Sequence, residues 1–424
     1  MTKKTNLSRL IKKNLSGEPV SVIKQVAELA ASRNQVVYLV GGTVRDLLLS
    51  LPNFDLDLVV EGDAVTLARE LAEQTGGKLT VHRRFGTAKL KLDDWSLDLA
   101  TARRETYASP GALPEVKPGS IEDDLFRRDF TINAMAVALS PGSYGDLKDP
   151  FGGRVDLENK LVRVLHGRSF TDDATRVWRT IRYEQRLGFR VERHTRELMK
   201  RDLDCLETVS GDRIRHELEL VLKENEPEKM LGRAWNLGVL ERVHPALKGD
   251  DWLLSRFRQA RETGSGQVST VLYWALLTYR MSENELEALI RYLHPARQTT
   301  IVVRDTNQLK SRLGDLKEKT VRPAQVYSIL DGYAHTALLA NLIATRSVKA
   351  QKAINLYLEK LRFIKPALNG KDLQKLGITP GPRMQELLIL LHHARLNGEI
   401  TSRAEEVALV REYSTGKRRL STEN

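Results

Sequence analysis

Asp55 and Asp57 stand two residues apart in the alternating run 54–60, a short distance after the pair Gly41-Gly42. Alternate residues of a strand share a face, so both carboxylates turn to solvent while Leu56 and Leu58 turn to a core. Two hard oxygen ligands so placed suit Mg²⁺, which takes a few carboxylates and completes its shell with substrate phosphates and water. Gly41-Gly42 lets the backbone approach an anion without Cβ interference, and its N–H groups lie at the start of a helix predicted over 43–50. Arg45, one turn in, reaches the same anion. These parts compose a phosphoryl-transfer site in which two metals clamp the attacking and leaving oxygens. A lone Asp-x-Asp is more often an exposed strand or turn; Gly-Gly, the strand context and Arg45 reverse that balance.

A second constellation lies at 171–188. Thr171 is a good N-cap, and a helix from Asp172 to Leu187, ended by Gly188, places Asp173 and Arg176 side by side. A carboxylate accepts from an exocyclic amino group, and a guanidinium donates to an unprotonated ring nitrogen. Cytosine and adenine offer that order on their Watson–Crick edges; guanine and uracil offer the reverse. The competing reading is an intrahelical salt bridge at a helix start.

The elements that must position these residues follow from periodicity. A helix is predicted over 18–33, then a strand at 36–40 and the alternating strand at 54–60, with further strands at 78–81, 87–92 and 95–100. This is a small mixed sheet with helices, ending near Leu165. From Phe170 to about Asn397 nearly every segment has helical spacing, broken at Gly188, Gly211, Gly238, Pro245, Gly264-Gly266, Pro295, Pro323 and Pro366. The fold class is therefore α+β, a mixed-sheet domain followed by an all-α array, with a frayed polar end at 414–424.

The 424 residues, 41% hydrophobic and 29% charged, support several domains and a sizeable core. No apolar run is long enough for a membrane span or a secretory signal, so the chain is expected to be neither membrane-spanning nor secreted. Cys205 is the only cysteine, which excludes intrachain disulfides and thiolate zinc sites and fits a reducing cytoplasm. The net charge of +12 is localised: residues 1–17 hold five basic side chains (Lys3, Lys4, Arg9, Lys12, Lys13) and no acidic one, and residues 301–365 hold twelve basic and five acidic. Such clustering is the footprint of a polyanion binder, with solvated helix faces as the alternative and an anionic membrane surface weaker than either.

With these residues in view the sequence resembles the nucleotidyltransferase superfamily of DNA polymerase beta, and within it the class II tRNA nucleotidyltransferases and bacterial poly(A) polymerases. GGTVRDLLL with DLD resembles their first motif, LFRRDFTINAMA (125–136) their second, DPFGGRVDL (149–157) their third and DDATRVWRTIRYEQRLGF (172–189) their fourth. The resemblance is strong over 35–190 and returns faintly at NGKDLQKLGITPGP (369–382). It implies a basic N-terminal segment and helix (1–34), a nucleotidyltransferase head (35–165), a helical neck that recognises the base (166–240), a basic RNA-binding body (241–365) and a helical tail (366–424).

The resemblance assigns Asp55 and Asp57 as metal ligands and Asp98 as the third active-site carboxylate, a metal ligand or general base on the incoming 3′-hydroxyl; Asp93 and Asp94 are nearby competitors. Gly42, Arg45 and Arg128 match positions that contact the nucleotide. Arg128 supplies a planar fork for phosphate, while Asp129 and Asn133 serve ribose hydroxyls or the loop itself. Arg179 and Arg182 continue the fourth motif in three-residue steps that each drift about 60° around a helix. They cannot all face one base, so Arg179 is assigned to the triphosphate and Arg182 to a partly structural role. Asp172 stands where the family usually has Glu. The tract 101–116 resembles the family's flexible loop, much of which is missing from relatives that add only CC. None of the nine histidines precedes an Asp, so the His-Asp phosphohydrolase module of some relatives is not expected.

The function so implied is template-independent addition of CCA, or its terminal part, to tRNA 3′ ends from CTP and ATP, with Mg²⁺ as cofactor and release of pyrophosphate. The alternatives are an A-adding enzyme or poly(A) polymerase, a non-catalytic RNA-binding or chaperone protein that keeps the fold, and nucleotidyl transfer to a small molecule. Intact Asp55, Asp57, Arg128, Asp173 and Arg176 argue against the second, and the long basic helical half against the third.

Overall fold

The computed structural model describes residues 5–15, 17–51, 55–93, 95–107, 114–263, 268–317 and 321–414, with the backbone alone for Asp55, Arg84 and Lys317. Lys3, Lys4, Asp94, the middle of the 101–116 tract, Gly264-Gly266 and the end from 415 onward lie outside the described residues. The chain divides into two compact units, 1–243 and 244–424.

The first unit opens with helices α1 (Ser8–Asn14) and α2 (Glu18–Ser32), then strand β1 (Val36–Val40), α3 (Gly42–Leu49), β2 (Asp55–Glu61) and α4 (Ala64–Thr75). Strands β3 (Lys78–His82), β4 (Thr87–Leu92) and β5 (Trp95–Thr101) follow, then the hairpin β6 (Arg103–Thr106) and β7 (Glu115–Pro118). Helix α5 (Ile121–Phe126), β8 (Ala136–Ala138), β9 (Leu147–Lys148) and α6 (Gly153–Glu158) complete the sheet region. The seven-stranded sheet runs β3-β4-β5-β2-β1-β8-β9, mixed because β2 and β5 are parallel while the other pairs are antiparallel.

Alternation in β1 and β2 builds two cores. Val37, Leu39, Leu56, Leu58 and Val60 join α2 and α4 on one face. Tyr38, Val40 and Val59 join Ile121 and Leu125 of α5 on the other. Both faces are covered, so the polar residues of β2 sit at its ends, Asp55 and Asp57 nearest the Gly41-Gly42 turn and Glu61 at the other. Tyr38 donates to the Glu61 carboxylate, whose other oxygen accepts from the Ile121 amide at 2.7 Å and so anchors the N-terminus of α5.

The third glycine-bearing motif has a packing reason. A Cβ on Gly153 would fall 2.1 Å from the Thr131 carbonyl oxygen, so α6 lies directly on the turn Thr131–Asn133. Gly153→Ala is therefore expected to cost about 1–3 kcal/mol or more through forced backbone displacement. Urea unfolding measures it; an unchanged midpoint would remove this account of the motif.

Beyond the sheet the all-α expectation holds with two exceptions. β10 (Leu161–Val162) pairs in parallel with β11 (Arg190–Val191), tying the end of the sheet region to the helices. The helix predicted from Asp172 to Leu187 is two: α7 (Ser169–Asp172) and α8 (Arg176–Leu187), with Asp173 extended at φ −145° between them. Thr171 is not its N-cap; it lies inside α7 and donates to the Arg168 carbonyl. Then come α9 (Arg193–Arg201), α10 (Gly211–Leu222), α11 (Pro227–Asn236) and α12 (Val239–Val243). Gly211 opens a helix instead of breaking one.

The second unit is helical among its described residues. One core gathers Leu309, Leu330, Ile354 and Leu361, and another gathers Leu373, Leu387, Leu391 and Val410. Glu406, fully buried, is satisfied by the amides of Ala367 and Leu368 and by Arg395 at 2.6 Å.

Candidate active site

Helix α5 sets the first side chains. Ser120 and Asp123 form a capping box that fixes its start. Asp124, fully buried, then accepts from Arg127 at 2.6 Å and from Arg128 at 2.8 Å. Burial alone would raise the Asp124 pKa, but the two guanidiniums outweigh it and hold it below the usual carboxylate range. Arg128 is thereby aimed across the Gly41-Gly42 turn. Gly41 has φ +65°, and a Cβ there would meet the Arg128 guanidinium at 2.5 Å. Gly41 therefore makes room for Arg128, and Gly42, where a Cβ would make only an ordinary contact with the Arg45 guanidinium at 3.6 Å, borders the cleft.

That cleft, about 630 Å³, brings together Gly42, Asp57, Arg128, Asp129, Asn133, Asp173, Arg176 and Arg179 of the expected residues. Asp57 is held by its amide donating to the Thr43 hydroxyl at 3.1 Å. In register, Asp57 lies opposite Asp98 and Asp55 opposite Ser96. Asp98 borders a neighbouring cleft of about 380 Å³ that shares Asp57 and Arg128 with the first. Its carboxylate pairs with Lys89 at 2.9 Å, both side chains nearly half exposed, so the pair adds little stability.

Arg45 departs from expectation. It is 3% exposed, bound to Asp46 at 2.7 Å and donating to Asn133 at 2.8 Å, and it packs 5.1 Å from the centre of the Tyr183 ring. It meets the cleft through Asn133 and Tyr183 rather than at the surface. Asn133 in turn donates to Asp129 at 3.0 Å, and Asp129 accepts from Arg179 at 2.6 Å. The loop reading of Asp129 and Asn133 thus has a geometric basis: they join α3, the second motif and α8 in one chain of hydrogen bonds.

Burial works against the Asp129 charge, yet Arg179, Asn133 and Arg176 hold its pKa down at about 2. A depressed carboxylate contributes stability that is full above its unfolded pKa and lost as pH falls toward 2. Asp129→Asn is expected to cost about 2 kcal/mol at pH 7, with the deficit shrinking as the pH approaches 2. Urea titrations at pH 7 and pH 3 check this; a deficit independent of pH would contradict it.

The fourth motif is arranged differently from the helix of the sequence reading. Asp173 does not pair with Arg176. Its Oδ1 accepts from the Thr175 amide at 3.0 Å, the Thr175 hydroxyl at 2.6 Å and Arg213 at 2.8 Å. Oδ2 has no partner among the described residues. Arg176 is 4% exposed and donates to the carbonyls of Arg127 at 2.7 Å and Ser169 at 3.4 Å. The intrahelical salt bridge is therefore not formed. Arg182 is buried near Glu217 at 3.6 Å and Glu224 at 3.8 Å and does not line the cleft. Burial raises the Glu217 pKa, with Arg179 and Arg182 opposing it.

Sequence reasoning missed Arg213, His216 and Glu217, which line the cleft from α10. Their spacing, three and then one, is a polar stripe at helical period beside apolar Ile214, Leu218 and Val221, and that stripe was the available signal. It also missed Asp124, Tyr107 and Tyr183. Tyr107 lies before the undescribed part of the 101–116 tract, lines the cleft and donates to Glu105 at 2.9 Å.

Comparison with known proteins agrees with this frame. Residues 37–163 match the poly A polymerase head domain, and residues 188–250 match the probable RNA and SrmB-binding site of polymerase A. An A-adding tRNA nucleotidyltransferase of Halalkalibacterium halodurans is 34% identical over 98% of this chain and 97% of that protein. An A-adding tRNA nucleotidyltransferase of Geobacter sulfurreducens is 35% identical over 94% of this chain, which spans 48% of that relative's length. The solved structure of a Thermotoga maritima CCA-adding enzyme complexed with tRNA aligns over 97% of this chain and 99% of its own, with TM-score 0.77 and 30% identity. A head match over the sheet, a relative matched from end to end and a solved structure aligned over nearly the whole chain together make the chain a member of the tRNA nucleotidyltransferase and poly(A) polymerase family.

Proposed function

We propose that the protein adds nucleotides to the 3′ end of tRNA from CTP and ATP with release of pyrophosphate, building CCA or its terminal part. The observation that carries this reading is the convergence, in one cleft, of Asp57, Gly42, Arg128, Asp173 and Arg176. Oδ2 of Asp173 is the acceptor for an exocyclic amino group, and Arg176 the donor to the ring nitrogen. Asp55 and Asp57, oxygen donors two positions apart in β2, suit a hard divalent ion that completes its shell with substrate phosphates. When bound, Mg²⁺ would neutralise the triphosphate and polarise the reacting oxygens. Asp98, beside Asp57 in register, accepts the proton of the attacking 3′-hydroxyl, and Arg128 offsets charge on the departing pyrophosphate.

Within this reading we favour addition of the terminal A, because the H. halodurans relative matched from end to end carries that name. Complete CCA addition is the second form, supported by the likeness to the T. maritima enzyme. Purified protein is to be offered tRNA transcripts ending in the discriminator base, in C and in CC, each with single nucleotides. A-adding activity predicts incorporation of ATP on the CC end alone. CTP incorporation on the discriminator base would select the CCA form, and repeated ATP incorporation a poly(A) polymerase.

A further inference from the structure

The second unit holds a cleft of about 450 Å³ where the start of helix Asp251–Thr263 meets the ends of Thr270–Thr278, Arg297–Arg312 and His335–Ala344. Its aromatic wall is Trp252 stacked on Tyr279, with ring centres 5.9 Å apart and planes 25° apart. Arg280 lies 4.5 Å from the Trp252 ring centre and Lys310 lies 5.6 Å from that of Tyr279. Arg280, Lys310 and Arg346 line the cleft, and no carboxylate does among the described residues. Asp250 holds Arg280 from outside at 2.7 Å.

Part of this charge answers the helix ends. Lys310 donates to the carbonyls of Tyr279 at 2.9 Å and Met281 at 2.8 Å, which leaves one of an ammonium's three protons. Arg346 has no such duty: it is exposed, and no hydrogen bond or ion pair ties it among the described residues. A π surface beside unspent cationic donors is the chemistry that holds a base together with a phosphate. Without a carboxylate the cleft has no ligand for the divalent ion that accompanies a triphosphate, so it suits a monoanionic phosphodiester.

We propose that this cleft binds one unpaired nucleotide of the RNA substrate, its base against Trp252 and Tyr279 and its phosphate toward Arg346 and Lys310. The proposal rests on the tRNA reading above. It makes the cleft a point of fixed register within a unit whose basic surplus would otherwise act only diffusely.

The test uses the full-length protein and measures Kd for tRNA against salt concentration in Arg346→Ala, Trp252→Leu and, as a control on the same unit but outside the cleft, Lys352→Ala. Arg346→Ala is expected to weaken binding by about tenfold and lower the salt slope by about 1. Trp252→Leu is expected to weaken it by about tenfold at unchanged slope, since stacking releases no counterions. Lys352→Ala is expected to change Kd by less than about twofold. A 5-iodouridine oligonucleotide is expected to cross-link at Trp252 or Tyr279 in the unmutated protein. Equal effects of Arg346→Ala and Lys352→Ala, with Trp252→Leu silent at unchanged melting temperature, would overturn the proposal in favour of diffuse charge. Displacement of the oligonucleotide by AMP at matched concentration would overturn it in favour of a free-nucleotide site. If the unmutated protein binds no tRNA, the tRNA reading itself fails, an outcome separate from silent variants of a protein that does bind.

Discussion

Asp57→Ala is expected to lower incorporation of both CTP and ATP by on the order of 10³-fold or more while leaving tRNA affinity within about twofold. The reason is where the charge acts. Asp57 lines the cleft beside Gly42 and Arg128, and in the function proposed above the Asp55 and Asp57 carboxylates are the hard-oxygen pair that would hold the ion brought by the triphosphate. Removing one ligand withdraws charge stabilisation from the reacting oxygens, an effect realised in the transition state and not in RNA binding. Asp55→Ala should behave alike. Its effect at equal melting temperature would separate metal chemistry from a folding defect, because the apolar neighbours Leu56, Leu58 and Val60 carry the packing of β2. Single-turnover incorporation and filter binding on the same preparations provide the two readouts. Normal turnover in either variant would remove the metal assignment.

The second large effect concerns base choice. Asp173→Ala removes the acceptor for the amino group, and Arg176→Ala the donor to the ring nitrogen. Each is expected to cost about 1–3 kcal/mol of discrimination, raising misincorporation of UTP or GTP relative to CTP and ATP. The structure adds Arg213 to this prediction. Because Arg213 and Thr175 both bind Oδ1, they fix the orientation of Asp173 and leave Oδ2, the oxygen that the proposed function gives to the base, without a partner among the described residues. Arg213→Ala should therefore loosen selectivity less than Asp173→Ala, and Arg213→Lys, which keeps one charged donor, should restore part of it. A purely structural role predicts lower melting temperatures with selectivity intact. kcat/KM for all four nucleotides separates these cases; unchanged selectivity in folded Asp173→Ala and Arg176→Ala proteins would place the base-reading groups elsewhere, with Arg179 the next residue to examine.

What the sequence made legible was local. β1 and β2 follow from β-branched runs and alternation, and the Gly41-Gly42 turn from composition, because each is decided by neighbours in the chain. The resemblance brought distant motifs together on paper, and the structure shows eight of the expected residues on one cleft. The break at Asp173 was missed because helical spacing continues through it; the hint was Asp followed two residues later by Thr, the pattern of a side chain that binds backbone just ahead and competes with the helix. Sequence spacing puts Arg45 within reach of the anion because it shows only which turn the residue occupies, whereas its burial depends on Asn133 and Tyr183, far away in sequence. The neighbourhood of Asp57 and Asp98 depends on strand order, which no local pattern encodes. For Gly41 the structure adds a demand that composition does not show, space for Arg128.

The central claim is that this cleft transfers a nucleotide to an RNA 3′ end. The most direct measurement is a single-turnover reaction of tRNA ending in CC with α-labelled ATP, followed by sequencing of the 3′ end and assay of pyrophosphate. The account predicts one A added per tRNA and one pyrophosphate released per A, both lost in Asp57→Ala. Release of AMP without extension of the tRNA, or extension that survives Asp57→Ala, would contradict it.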